Sequence, residues 1–240
     1  MVIVVDDIQF PLSLDDLGDL ALQRTGELLR LGGGVALNHW FRSGDKGPIK
    51  SFLNQNGIAT AFLQRTVLTI QRELAQLETC VDFGSIKKLT SVGPGLCLIE
   101  LMIWQRYRCE MYLIDIEHTV DHQHGFHEMG SGYSNNSAAR HFLESNGVPP
   151  DQIRFCNPTK EPLDQSQVDL IISILSMGFH YPVRDYVPYI SNALRMNGTL
   201  AFDKRKGVPD EAWDALSTRL RGRLAIDFGK FYRLICEKAA

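Results

Sequence analysis

The sequence has no apolar run approaching the ~20 residues that a membrane-crossing helix needs, so a spanning role is not expected. It has no Cys-x-x-Cys pair. Its five cysteines, Cys80, Cys97, Cys109, Cys156 and Cys236, are scattered. An odd, dispersed set argues against a disulfide framework or a zinc ribbon and fits reduced thiols in the cytoplasm. Neither charge dominates: 25 Lys and Arg stand against 28 Asp and Glu, a formal net charge of −3. The longest basic cluster is Lys204-Arg205-Lys206. A nucleic-acid partner is therefore not expected. The opening MVIVVDDIQF lacks the basic region and long apolar segment of a secretion signal, which again points to the cytoplasm. Internal repeats and low-complexity tracts are also missing.

What is present suits a soluble globular chain. Of its 240 residues, 44% are hydrophobic and 22% charged, enough for one large domain or a domain with an appendage. Over residues 12–31, Leu14, Leu17, Leu20, Leu28 and Leu31 have helical spacing and stop at Gly32-Gly33-Gly34. A second helical region covers 49–82, with Ile58, Phe62, Leu68, Leu74 and Leu77 as core candidates. Residues 1–85 are thus expected to form a helical lid or cap, with no convincing strand after the start.

The texture then changes. Strand candidates at 88–92, 111–115, 153–156, 168–174, 198–203, 222–228 and 231–237 alternate with helices at 96–107, 136–146, 184–195 and 209–219. Such alternation predicts a mainly parallel sheet with helices on both faces over 86–240. The last two strands are separated only by Gly229-Lys230, which demands an antiparallel hairpin. The expected fold is α/β, with a seven-stranded sheet closed by that hairpin.

The densest signal is Leu89 to Asp115. A short strand ends in Val92-Gly93-Pro94-Gly95, a helix follows, and a second strand ends in an acid, Asp115, 22 positions after Gly93. Glycines let a ligand approach the backbone, and a carboxylate at the second strand tip can hold two ribose hydroxyls. An adenosine-containing cofactor is expected. The plain alternatives are an ordinary strand-to-helix turn and a solvated strand-end aspartate.

These segments, taken in order, carry a resemblance. VGPGLCLIEL resembles motif I of the class I S-adenosylmethionine-dependent methyltransferases, and YLID their ribose-binding second strand. RFCNP resembles their third strand tip, VDLIISILSMGFHYP the fourth strand and active-site loop, and NGTLAFDKRKG the fifth strand. The segment HQHGFHEMGSGYSN at 122–135 is most similar to bacterial sugar O-methyltransferases. The resemblance spans about 85–240 and implies a Rossmann-like methyltransferase sheet with S-adenosyl-L-methionine as cofactor. Two positions depart from it: Ser91 stands where an acid is frequent, and Cys97 where a third glycine is common.

By the same resemblance, Gly93, Pro94 and Gly95 face the methionine portion, Asp115 the ribose, and Ile116 the adenine. Asn157 and Pro158 fall at the adenine edge, unless they only make an Asn-Pro turn. Ser173 and Leu175 complete the cofactor set. His180, directly after the fourth strand, is a candidate general base, or else only shapes its loop. Asp203 is the second candidate base, or else pairs with Lys204 or Arg205. Ser176, Tyr181, His124 and Tyr133 are candidates to bind the acceptor, and Phe179 to cover the sulfonium. Asp169, at the opposite strand end, reads as structural.

His118, His122, His124 and His127 crowd one loop. His122, His124 and His127 could ligate zinc, or Asp121 and Glu128 could join a hard-cation site. A polar pocket wall is the simpler account, and no metal is expected.

The expected activity is methyl transfer to a hydroxyl of a sugar or other small hydroxylated metabolite, the N-terminal region serving as lid or homodimer contact. Trp40, Phe41 and Phe52 would line the acceptor pocket or pack in the core. An N-methyltransferase and a non-catalytic S-adenosylmethionine-binding scaffold stand beside it. A nicotinamide-dependent reductase is disfavoured by the closing hairpin and the missing third glycine.

Overall fold

A computed structural model describes residues 2–117, 126 and 132–238 of the chain. It opens with an antiparallel hairpin, β1 (Val2–Val5) and β2 (Ile8–Pro11), that the sequence reading did not anticipate. The two turn residues, Asp6 and Asp7, both have positive φ. That is the backbone of a type I′ turn, here made without the glycine that would advertise it.

Helices follow: α1 (Leu14–Gln23), α2 (Thr25–Arg30), α3 (Gly34–Ser43), α4 (Gly47–Leu53) and α5 (Ile58–Glu78). α1 starts at a capping box, in which Ser13 and Asp16 satisfy each other's backbone N–H. α3 begins within the glycine triplet, with Gly33 as its N-cap and Gly34 as its first residue. On α5 the buried stripe is Phe62, Leu63, Val67, Ile70, Leu74 and Leu77. Leu68, expected in the core, is off that stripe and exposed.

The second part alternates as expected: β3 (Lys88–Val92), α6 (Leu98–Tyr107), β4 (Glu110–Ile114), α7 (Asn136–Ser145), β5 (Ile153–Cys156) and β6 (Val168–Ser173). Then come α8 (Val187–Ala193), β7 (Leu194–Arg205), α9 (Glu211–Ser217), β8 (Leu220–Asp227) and β9 (Phe231–Lys238). The main sheet has seven strands in the order β5-β4-β3-β6-β7-β9-β8. β9 runs antiparallel to both neighbours, and the other pairings are parallel.

Strand alternation divides the sheet between two cores. Leu89, Met111, Leu113, Leu170 and Ile172 face one side, in a cluster continuous with Phe10, Leu17, Trp40 and Phe62 of the N-terminal segment. Tyr112, Ile114, Ile171, Leu200 and Phe202 face the other, under Tyr189, Ile190 and Leu216. The chain moves outward from β3 to β4 and β5, then returns to lay β6 on the other flank of β3. In an open α/β sheet, such a reversal opens a crevice beyond the carboxyl ends of the strands.

Candidate functional site

A cavity of about 120 Å³ lies at that crevice. From the β3 exit it receives Gly93, Pro94 and Gly95, and from the β4 exit Asp115 and Ile116. From the β6 exit come Ile174, Leu175, Ser176, His180 and Tyr181. Tyr133 and Ser134, just before α7, close a further side. Three strand ends thus bring together most of the residues singled out from the sequence.

The glycine turn is tight. Gly93 and Gly95 both have positive φ. The space a side chain would need is taken by this chain's own groups: a Cβ at Gly93 would strike Ser176, and one at Gly95 would lie 2.3 Å from Gln23 Oε1. Cys97, where a third glycine is common, is a buried residue at φ 65, a left-handed conformation costly for a side-chain-bearing residue. Ser91, in place of the frequent acid, donates to Glu100 Oε1 at 2.6 Å. Glu100 comes from the first turn of α6, is 1% exposed, and leaves Oε2 without a hydrogen-bond partner. Burial pushes its carboxyl up to about 7.

Asp115 is 8% exposed. Its Oδ1 accepts from Glu117 N at 3.0 Å and from the Ser134 hydroxyl. Among the described residues, its Oδ2 accepts only a long bond from Gly95 N, 3.4 Å. Burial raises its pKa, opposed by those donors. Oδ2 therefore has acceptor capacity on the cavity side, as a ribose diol requires.

The β6 exit loop folds back on itself. Phe179 N and His180 N donate to Ser176 O, and Gly178 N donates to Tyr181 O at 2.8 Å. This places Ser176 Oγ 3.0 Å from Tyr181 Oη and turns His180 toward the cavity. Burial pushes the phenols of Tyr181 and Tyr186 well above the ordinary value, so both stay protonated.

Five predicted site residues do not line the cavity. Asp203 is 0% exposed and makes a two-bond ion pair with Arg233, at 2.8 and 2.9 Å. The closing hairpin sets Arg233 directly opposite Asp203, so the partner is neither Lys204 nor Arg205. Asp203 Oδ2 also accepts from Leu175 N at 3.0 Å and so fixes Leu175 at φ 52. It supports the loop from beneath and is not placed as a base. Asn157 turns its amide back to Ile116 O and Glu117 Oε2, tying the β4 exit to the β5 exit, and Pro158 is likewise not among the lining residues. Ser173 bridges Val92 O and Met177 N inside the sheet. Phe179 packs edge-on against Phe231 of the hairpin instead of covering the crevice.

His124 and the other histidines of its loop lie outside the described residues. Among the described residues no group of three or more His, Cys, Asp or Glu is arranged to hold a metal. Trp40 is buried in the core, edge-on to Tyr133, and neither Phe41 nor Phe52 lines the cavity. Asp169 accepts from Lys87 N and Lys88 N and pairs with Arg195, a structural role as expected.

Sequence reasoning missed the wall made by the end of α1. Leu22, Gln23 and Arg24 line the cavity, as do Ser134 and Tyr186. Gln23 Oε1 accepts from Leu96 N at 3.2 Å and its Nε2 donates to Tyr133 O at 2.8 Å. One side chain therefore joins the N-terminal layer, the glycine turn and the segment before α7. No local motif marks residues 22–24, because their role comes from contacts some 70 to 110 positions away.

Solved structures with similar backbones exist. A geranyl diphosphate methyltransferase in complex with GPP and sinefungin matches with a TM-score of 0.53 and 13% identity, over 78% of this chain and 83% of that one. The StiE O-MT, residues 942–1257, matches with a TM-score of 0.53 and 15% identity, over 73% and 77%. This chain has the methyltransferase fold. A third methyltransferase structure, the N,N-8-amino-8-demethyl-D-riboflavin dimethyltransferase of Streptomyces davawensis, matches with a TM-score of 0.50 and 13% identity, over 88% and 69%. Identities this low speak for the fold alone. No protein-family model and no curated protein matches the sequence. In the methyltransferase fold of this chain, the donor set fits an adenosine ligand with a charged tail: a carboxylate with spare acceptor capacity, an apolar Ile116–Leu175 wall and a glycine turn.

Proposed function

We propose that this chain is an S-adenosylmethionine-dependent methyltransferase that acts on a hydroxyl of a sugar or other small hydroxylated metabolite in the cytoplasm. The observation that carries this reading is the convergence of the Gly93–Gly95 turn, Asp115 and His180 on one cavity from three strand ends. Asp115 would hold the ribose hydroxyls, Ile116 and Leu175 the adenine, and the glycine turn the amino-acid end. When bound, the cofactor supplies a methyl group activated on a sulfonium. The protein's work is then positioning and removal of one proton.

His180 takes that proton from the acceptor hydroxyl. The other candidates suit different tasks: at the cavity, Tyr181 and Tyr186 stay protonated and donate, and Asp203, beneath the loop, is committed to Arg233. Ser176 and Tyr181 orient the acceptor. The N-terminal layer, which already supplies Gln23 and Arg24, acts as the lid.

Calorimetry with S-adenosylmethionine, followed by turnover with a panel of sugar, other hydroxyl and amine acceptors, tests the reading. Binding with turnover on hydroxyl acceptors supports it. Binding without turnover on any acceptor indicates a scaffold, and turnover confined to amines moves the chemistry to nitrogen.

A further inference from the structure

Among the described lining residues, Arg24 is the one guanidinium or ammonium group. It sits between α1 and α2, with its side chain 14% exposed. Only Nη1 is engaged, by Glu73 Oε1 at 2.8 Å and Oε2 at 3.0 Å. Nε and Nη2 have no hydrogen-bond partner among the described residues. A guanidinium in a largely buried wall with unused donors is suited to a planar anion, above all a carboxylate.

Its position picks the end of the ligand. Its neighbour Gln23 rests on Gly95 and Leu96, and the charge of Arg24 is felt by Glu100 in the first turn of α6. Arg24 therefore belongs to the glycine-turn side. The acid that suits a diol, Asp115, carries the opposite charge and would repel a carboxylate. An adenosyl amino acid offers one diol and one carboxylate, and the described lining residues offer one carboxylate, Asp115, and one guanidinium, Arg24.

We propose that Arg24, supplied by the N-terminal layer, is the residue that binds the carboxylate of the cofactor's amino-acid end. The inference rests on the cofactor assignment above. It makes the N-terminal segment part of the cofactor site as well as a cover for the acceptor, and it makes discrimination for the carboxylate a property of Arg24.

Two probes separate the ends of the ligand. S-adenosylhomocysteine carries the amino-acid group, and 5′-methylthioadenosine keeps the adenosine but lacks it. By calorimetry, Arg24→Gln should weaken S-adenosylhomocysteine by about tenfold to a hundredfold and leave 5′-methylthioadenosine within about twofold. Arg24→Lys should recover part of the loss. Glu73→Gln, which frees Nη1, should keep or improve S-adenosylhomocysteine binding; a loss equal to that of Arg24→Gln would show that Arg24 acts only through its ion pair and would overturn the proposal. Equal effects of Arg24→Gln on both probes, or on neither, would also overturn it.

Should Arg24→Gln fail to fold, the wild type still decides. The decarboxylated analogue of S-adenosylhomocysteine should bind at least about tenfold more weakly than the parent, and equal binding refutes the assignment. If the wild type binds neither probe, the cofactor reading itself has failed. If it binds both and only the Arg24 pattern is missing, the role of Arg24 alone has failed.

Discussion

Ser176 sits directly on Gly93: a Cβ added at Gly93 would lie 1.7 Å from Ser176 Oγ and 2.7 Å from Ser176 Cβ. The first turn glycine is thus needed for the β6 exit loop to close against the β3 exit. Gly93 also has φ 70, where an alanine is strained in any surroundings. Gly93→Ala should destabilise the fold by about 2 kcal/mol or more, from the backbone conformation and the overpacking together. Urea unfolding measures it. A variant as stable as the wild type would show that the contact is not needed.

His180 and Asp203 should separate into different phenotypes. His180→Ala should reduce turnover by roughly a hundredfold or more with cofactor affinity within about threefold, as for loss of a general base. The wild-type rate should fall on acidification, since an imidazolium cannot accept a proton. Asp203→Asn leaves Arg233 buried without its counter-charge and should cost about 3–5 kcal/mol of stability. Thermal unfolding and steady-state kinetics on the two variants check this. Turnover lost in a fully stable Asp203→Asn, with His180→Ala active, would reverse the assignment.

Asp115→Ala should weaken S-adenosylmethionine and its demethylated product alike by about 2 kcal/mol, because charge-assisted bonds to two hydroxyls are removed. Calorimetry on both ligands is the measurement. Unchanged affinities would remove Asp115 from the ribose site.

Glu100 predicts a pH dependence of stability. Burial raises its carboxyl from an ordinary 4.5 to about 7, so between those values the folded chain holds a proton that the unfolded chain has released. Stability should therefore fall as pH rises through that window, by the order of 3 kcal/mol. Glu100→Gln keeps an acceptor for Ser91 and removes the titration. Its stability should match the wild type below the window and exceed it above pH 7. Parallel urea titrations across that range decide the point, and superimposable pH profiles for the two proteins would contradict it.

Exhaustive chelation should leave methyl transfer unchanged if the histidine-rich loop is a pocket wall. Loss of activity on chelation and recovery with magnesium would make Asp121 and Glu128 ligand candidates.

The architecture of the sheet was legible in the sequence because each of its signals is local. Period-two apolar runs, helical stripes and the two residues Gly229-Lys230 each report on backbone a few positions away, and together they gave the seven strands and the closing hairpin. The β3 turn and Asp115 were legible for the same reason. The opening hairpin was not, since Asp6 and Asp7 adopt positive φ without glycine. Tertiary structure alone decided the rest of the site. Asp203 looks like a strand-tip acid until β9 lays Arg233 across from it, 30 positions later. Gln23 and Arg24 look like the ordinary end of a surface helix until packing carries them to the glycine turn. Side-chain roles of this kind depend on which charges and voids meet across the fold, and neither periodicity nor spacing along the chain encodes that meeting.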